Sequence, residues 1–234
     1  MILHNSSFYG LVFGDKNNYC VKSLSGDFIS DFAQAKNLLN LKKLVFLNQT
    51  HSINGLVITD TAQIPDDLTI FKSDGDFLIT NLPLVGIGVR TADCLSILIF
   101  DKTKKIVCAI HAGWRGAVGG IIQKVFEILI NKFESDIKDL EIYLGPCAKS
   151  CCYEVDEKFL ENLQKTTDGI ITQKNNKIYF NLPKFAEVNL LDLGVKSNQI
   201  NQEYNLCTIC TKNQFCSYRL GDIDSRQMSI IFLK

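Results

Sequence analysis

Three side chains with metal-binding chemistry sit where the chain changes direction. His51, Cys94 and His111 each lie at the end of a short β-type run or beside a turn, among small and polar residues. Binding groups are commonly built on such strand ends, where a rigid sheet positions them. Two imidazoles and one thiolate, with a fourth position left to water, form the pattern of a catalytic zinc site. Zinc there lowers the pKa of water to roughly 7. The chain holds only three histidines, and two of them fall in these settings; the third, His4, stands near the N-terminus. The intervals between the trio are 43 and 17 residues, with no local His-x-x-His or Cys-x-x-Cys signature among them. On spacing alone, three unrelated residues remain the simpler reading.

The surroundings of His111 add weight. They read Ala109-Ile110-His111-Ala112-Gly113-Trp114-Arg115-Gly116. A strand ends, two glycines bracket a Trp-Arg pair, and an amphipathic helix begins. Helix N-terminal N–H groups and an arginine fork suit phosphate or carboxylate. Arg115 is therefore the candidate anion ligand, with Arg90 or Arg219 as a second clamp. Asp93, next to Cys94, has two roles of equal standing: it shuttles a proton, or it orients a ligand and caps a turn.

The elements that must hold these groups alternate along the chain. Strands are expected at Leu44–Leu47, Gly55–Thr59, Phe77–Thr80, Val85–Val89, Leu95–Phe100, Lys105–Ile110 running into His111, Leu140–Leu144 and Ser229–Leu233. Asp74-Gly75-Asp76 reads as a turn; it lacks the remaining positions of a calcium loop. Val118, Ile121, Ile122, Val125, Phe126, Leu129, Ile130 and Phe133 define one apolar helical face. Glu157–Gln164 and Leu182–Leu193 also read as helices, the second stopped by Gly194. This mixture predicts an α+β or layered α/β fold over residues 1–234, one domain without repeats or linkers. It leaves the sheet order open.

Composition bounds the remainder. The 234 residues are 46% apolar and 21% charged, as in an ordinary globular protein. Lys+Arg and Asp+Glu balance at 25 each, so no basic excess points to nucleic acid or an anionic membrane. The longest apolar runs are strand-sized, and no basic segment followed by an apolar stretch opens the chain. The expectation is a cytoplasmic enzyme, with no reading of its oligomeric state. The nine cysteines are odd in number and read as reduced, mostly buried thiols. A second zinc site from Cys207-x-x-Cys210, Cys216 and Cys147-x-x-x-Cys151-Cys152 is the less favoured reading, because only the first pair has the usual spacing. A redox role for Cys207 and Cys210 lacks a thioredoxin-like setting.

Five blocks then occur in order: Gln49-Thr50-His51; Thr91-Ala92-Asp93-Cys94; His111-Ala112-Gly113-Trp114-Arg115-Gly116; Gly145-Pro146 followed by Cys152-Tyr153-Glu154-Val155; and Cys207-Thr208 followed by Phe215-x-Ser217-x-Arg219. Together they resemble the purine nucleoside phosphorylase family, also named the polyphenol oxidase or multicopper oxidase laccase domain family. The bacterial peptidoglycan editing factor belongs to it too. The resemblance spans roughly residues 44 to 234. It implies a layered α/β/β/α domain with mixed sheets and a zinc ion held by His51, Cys94 and His111. It also implies phosphorolysis of adenosine, inosine and methylthioadenosine, together with adenosine deamination. Phenol oxidation and editing of a cell-wall precursor are further activities claimed in the family. Two departures stand out. Ser96 occupies the place of a usual proline, and Asp224-Ser225-Arg226 that of a Thr-Gly-Arg-like triplet.

The claimed chemistries differ in what they demand. A multicopper oxidase uses about ten histidines for its blue and trinuclear copper, far more than this chain has. A single His₂Cys site still accepts copper, which leaves phenol oxidation as a secondary property. Deamination suits an activated water with a carboxylate shuttle, for which Asp93 is nearest. Phosphorolysis needs an anion site, here Arg115 with Arg90 or Arg219. A metal-free hydrolase with Cys94 as nucleophile and a histidine as base uses the same residues, and a chelator separates it from the metal reading. A non-catalytic metal-binding module would hold zinc without turnover.

Overall fold

The computed structural model describes residues 1–22, 28–163, 168–211 and 213–234. The chain begins with β1 (Ile2–Asn5), β2 (Tyr9–Phe13) and β3 (Cys20–Val21), then α1 (Ile29–Leu38). Next come β4 (Lys43–Asn48), β5 (Gly55–Ile58), β6 (Leu68–Asp74), β7 (Phe77–Thr80), β8 (Val85–Thr91), β9 (Leu95–Asp101) and β10 (Ile106–Ala112). Helices α2 (Trp114–Gly119) and α3 (Ile121–Phe133) lead to β11 (Leu140–Leu144). The last third holds β12 (Glu154–Val155), α4 (Glu157–Leu160), β13 (Ile171–Lys174), β14 (Lys177–Phe180), α5 (Leu182–Asp192), β15 (Ile200–Asn201) and β16 (Arg226–Leu233).

Two mixed sheets carry the fold. One is seven-stranded, in the order β1-β2-β16-β8-β4-β6 with β3 also on β16; the other is six-stranded, in the order β15-β11-β9-β10-β7-β5. A small sheet, β12-β14-β13, stands apart. Every residue of β10 is buried, and its period of two explains why. Val107 and Ala109 face the first sheet in a shared core with Leu11, Ile87 and Ile231. Ile106, Cys108 and Ile110 face the opposite way, against Ile121, Val125 and Phe126 of α3 and Leu182 and Ala186 of α5. In β16, Ile231 and Leu233 point between the sheets, while Met228, Ile230 and Phe232 pack beneath Phe32 and Ala35 of α1. The result is the expected α/β/β/α layering. Among the described residues, no helix is long and apolar enough to cross a membrane.

Local differences have local causes. The helix expected from Val118 starts earlier, at Trp114, and breaks at Gly120, whose φ of 93° places it in the left-handed region. The helix expected over Glu157–Gln164 shrinks to α4; Asp156 caps it through Phe159 N–H at 2.8 Å, and Gln164 lies outside the described residues. Ser96 has a clear role in place of proline: its hydroxyl meets Ser229 Oγ at 2.9 Å, a buried polar link between the two sheets.

Candidate metal centre and anion pocket

The three candidate ligands arrive from different connections. His51 lies in the loop after β4, Cys94 in the turn between β8 and β9, and His111 near the end of β10. The β4 end is tied to β8 by a reciprocal amide clamp: Gln49 Nε2 donates to the Arg90 carbonyl and Arg90 N–H to Gln49 Oε1, both at 2.8 Å. The β8–β9 turn needs a left-handed residue, and Asp93 supplies it with φ of 83°. Both oxygens of Asp93 are occupied, one by the Thr208 hydroxyl at 2.6 Å and one by Arg219 N–H at 2.9 Å.

Asp76 organises the centre. Its side chain is fully buried, and it accepts N–H bonds from Thr50, His51 and Ser52 and the hydroxyl of Ser52. It also meets His111 Nδ1 at 2.8 Å. A carboxylate on one ring nitrogen fixes the tautomer and leaves Nε2 for a ligand, the usual outer-shell arrangement of a metal-binding histidine. In the sequence alone, Asp74-Gly75-Asp76 reads as a simple turn. A buried histidine at a strand end requires an acceptor for its second nitrogen, and that requirement is the signal which points to such a carboxylate.

Charge organises the same groups. Burial opposes ionisation of Cys94, but the charge and hydrogen bond of His111, together with His51, outweigh it and bring the thiol down to about 6. Burial likewise opposes protonation of His111, yet the Cys94 thiolate and Asp76 raise it to about 9. Asp76, despite its burial, is held at about 2, chiefly by His111. In chelator-stripped protein, iodoacetamide should therefore alkylate Cys94 with a rate that rises as pH passes about 6, well below the ordinary thiol value of 9.0. Peptide mapping across pH reads this; a midpoint near 9 would contradict the arrangement.

The donor set fits an ion. The ligand atoms of His51, Cys94 and His111 lie within 4.8 Å of one another, and Cys94 Sγ is 3.7 Å from His51 Nε2. Two imidazoles and a thiolate suit zinc or copper rather than calcium or magnesium, which take oxygen ligands. Gly113 leaves the required room: a Cβ there would stand 2.7 Å from His51 Cδ2 and 3.1 Å from Cys94 Sγ. Its backbone is ordinary, at φ −62°, so it is close approach and not conformation that calls for glycine. Gly113→Ala should cost metal affinity by at least about tenfold, the lower bound seen when the shell around ligands is disturbed. Chelator competition checks this, and unaltered affinity would overturn the cradle.

Around the trio opens a cavity of about 940 Å³. Arg90, Asp93, Arg115 and Arg219 line it with the three ligands, so every candidate from the sequence converges there. Arg115 lies over Trp114 at 4.5 Å, and Arg219 over Tyr153 at 4.6 Å. Arg90 stacks on Phe71 at 3.9 Å, and its buried Nε has no hydrogen-bond partner among the described residues. Burial, helped by the nearby Arg226, lowers its pKa to about 10. Arg226, Phe28, Phe71 and Tyr218 also line it; Phe28 and Phe71 come from segments distant from the motif blocks, so spacing gives no hint of them, whereas Tyr218 stands inside the last block and Arg226 in the triplet that follows it.

Fold and site together define a layered α/β/β/α protein with a His₂Cys cluster suited to one metal ion. Residues 29–234 match the family described as multi-copper polyphenol oxidoreductase laccase, and the chain belongs to that family. It is 38% identical over 213 residues to a purine nucleoside phosphorylase of Aquifex aeolicus, covering 87% of this chain and 97% of that one. It is 31% identical over 204 residues to adenosine deaminase RL5 from an unknown prokaryotic organism, covering 84% and 77%. Among solved structures, Bacillus licheniformis hypothetical protein YfiH aligns with a TM-score of 0.81 and 25% identity, over 97% of this chain and 93% of that one. Neisseria meningitidis protein NMB0706 has the same fold, with a TM-score of 0.81 at 22% identity, covering 100% and 98%.

Proposed function

We propose that this protein is a cytoplasmic, zinc-dependent purine nucleoside phosphorylase. It converts adenosine, inosine or methylthioadenosine to the free base and the ribose 1-phosphate product, with adenosine deamination as a parallel activity. The observation that carries this reading is Arg90. A half-buried arginine whose buried Nε lacks a partner among the described residues, beside a metal-type trio, calls for an anionic ligand. Arg115 and Arg219 face the same cavity as further clamps on phosphate. Trp114, Tyr153 and Phe71 line the same cavity, and each carries one of these arginines on its ring.

His51, Cys94 and His111 hold the zinc, which when bound supplies Lewis-acid polarisation beside the substrate. Asp76 keeps His111 in the ligating tautomer. Asp93 enters as a positioning residue: both its oxygens already accept bonds, and they set Arg219 and the Cys94 turn in place. The relatives named purine nucleoside phosphorylase and adenosine deaminase support both reactions.

Chromatography of products from adenosine, with and without phosphate, tests the proposal. Adenine that depends on phosphate is expected. Arg115→Ala should raise the KM for phosphate about tenfold or more, the loss of a charge-assisted contact worth ~1.5–3 kcal/mol, and spare the zinc. Inosine formed regardless of phosphate would leave deamination as the main reaction; an unmoved phosphate KM would remove Arg115 from the clamp.

One observation favours a second reading. The thiolate of Cys94 beside protonated His111 is the arrangement of a cysteine hydrolase, acting on a cell-wall precursor. Its turnover would survive a chelator, whereas the zinc reading requires loss.

A further inference from the structure

Cysteine spacing gave little reason to join residues 147–152 with 207–216, yet the fold brings four of these thiols to one point. The Sγ atoms of Cys151, Cys152, Cys207 and Cys210 all lie within 4.8 Å of one another. Cys210 Sγ is 3.2 Å from Cys151 Sγ and 3.1 Å from Cys152 Sγ. All four are free thiols. Cys147 and Cys216, which sequence spacing would have grouped with them, are not in the cluster.

We infer that these four cysteines form a second, structural metal site for zinc, separate from the His₂Cys centre. Three independent features carry this. First, the donor set is four sulfurs, the composition that selects zinc in closed, four-coordinate sites. A tetrahedron of Zn–S bonds of about 2.3 Å sets its sulfurs about 3.8 Å apart, within the spread seen here. Second, Cys207-x-x-Cys210 turns back on itself so that Cys210 N–H points at Cys207 Sγ, 3.4 Å away. A backbone donor aimed at sulfur favours the thiolate, the ligating form. Third, the two segments are registered without the ion. Cys147 N–H donates to the Leu206 carbonyl and Thr208 N–H to the Cys147 carbonyl, both at 3.0 Å. The cluster thus sits on a prepared frame. Binding exchanges thiol protons for one divalent cation, with the protons released to solvent.

The location gives the site a task. Cys152 precedes Tyr153, which lines the cavity and stacks under Arg219. Cys207 precedes Thr208, whose hydroxyl holds Asp93. The second ion fastens both supports from behind, without touching the substrate pocket itself.

The test uses the full chain, purified without chelator, carrying Cys94→Ala to disable the first centre. Elemental analysis and native mass spectrometry are expected to find one zinc per chain, falling to none when Cys210→Ser is added. Zinc absent from Cys94→Ala, or zinc that survives Cys210→Ser, overturns the site. Cobalt substitution in Cys94→Ala keeps the test decisive if the double variant fails to fold. An intense sulfur-to-cobalt charge-transfer band with tetrahedral d–d bands is expected, and their absence overturns the site. The inference does not depend on the nucleoside reading: a chain with this zinc and no phosphorolysis would refute only the latter.

Discussion

Cys94→Ala should empty the His₂Cys centre and lower kcat/KM on adenosine by on the order of 10³-fold or more, the scale lost when one member of a catalytic unit is removed. That corresponds to about 4 kcal/mol of transition-state stabilisation. The reason is geometric. Cys94 is the sole anionic donor in the trio, and it stands opposite two imidazoles whose positions are fixed independently. His51 is held through its backbone by Asp76, and His111 through its ring by the same carboxylate. Without the thiolate, two neutral nitrogens remain, too few for a three-ligand site. The residue is half-buried and small, so the fold should persist, which circular dichroism would verify. A variant that folds, loses the ion of the His₂Cys centre and still turns over adenosine would shift the chemistry elsewhere.

Asp76→Asn should weaken metal binding ~10–100-fold, the usual cost of losing an outer-shell carboxylate, and reduce stability as well. The substituted amide keeps the size but turns an N–H₂ group toward donors from Thr50, His51 and Ser52. Some of those buried N–H groups lose their acceptor, and His111 loses the partner that fixes its tautomer. The pH dependence has a definite sign. The Asp76 carboxyl is held at about 2, below its unfolded value of 3.8. Its contribution is therefore complete above 3.8 and lost as pH falls through about 2. Urea unfolding of metal-free protein should show a steep acid limb in the wild type and a shallower one in Asp76→Asn. Identical limbs would mean that the carboxylate is not the organising group.

The sheets were legible because their central strands are apolar on both faces. Phe77–Thr80 and Leu140–Leu144 agree end for end, and Leu95–Phe100 falls one residue short of β9. The N-terminal strands carried no such mark. Strand β1 alternates half-buried and exposed residues, and β2, though buried throughout, offers an apolar run of only Leu11-Val12-Phe13 after Gly10. Helix α1 is weakly amphipathic, burying only Phe32 and Ala35. The ligands were legible because each stands at a strand end with small neighbours. Asp76 was not, since a turn containing Asp-Gly-Asp looks the same whether or not the second carboxylate points inward. Sheet order lay beyond the sequence altogether: β16, the last strand, lies between β2 and β8, a pairing that spans nearly the whole chain.

The origin of the three ligands has a consequence for folding. His51 follows a strand of the first sheet, His111 sits on the second, and Cys94 lies on the crossing between them. No single hairpin can assemble the trio. The ion is thus a late reporter, able to gain its full coordination only once the two sheets have docked in register. Contacts of such long sequence separation form slowly, so a cobalt chromophore at this centre would time the final closure of the molecule during refolding.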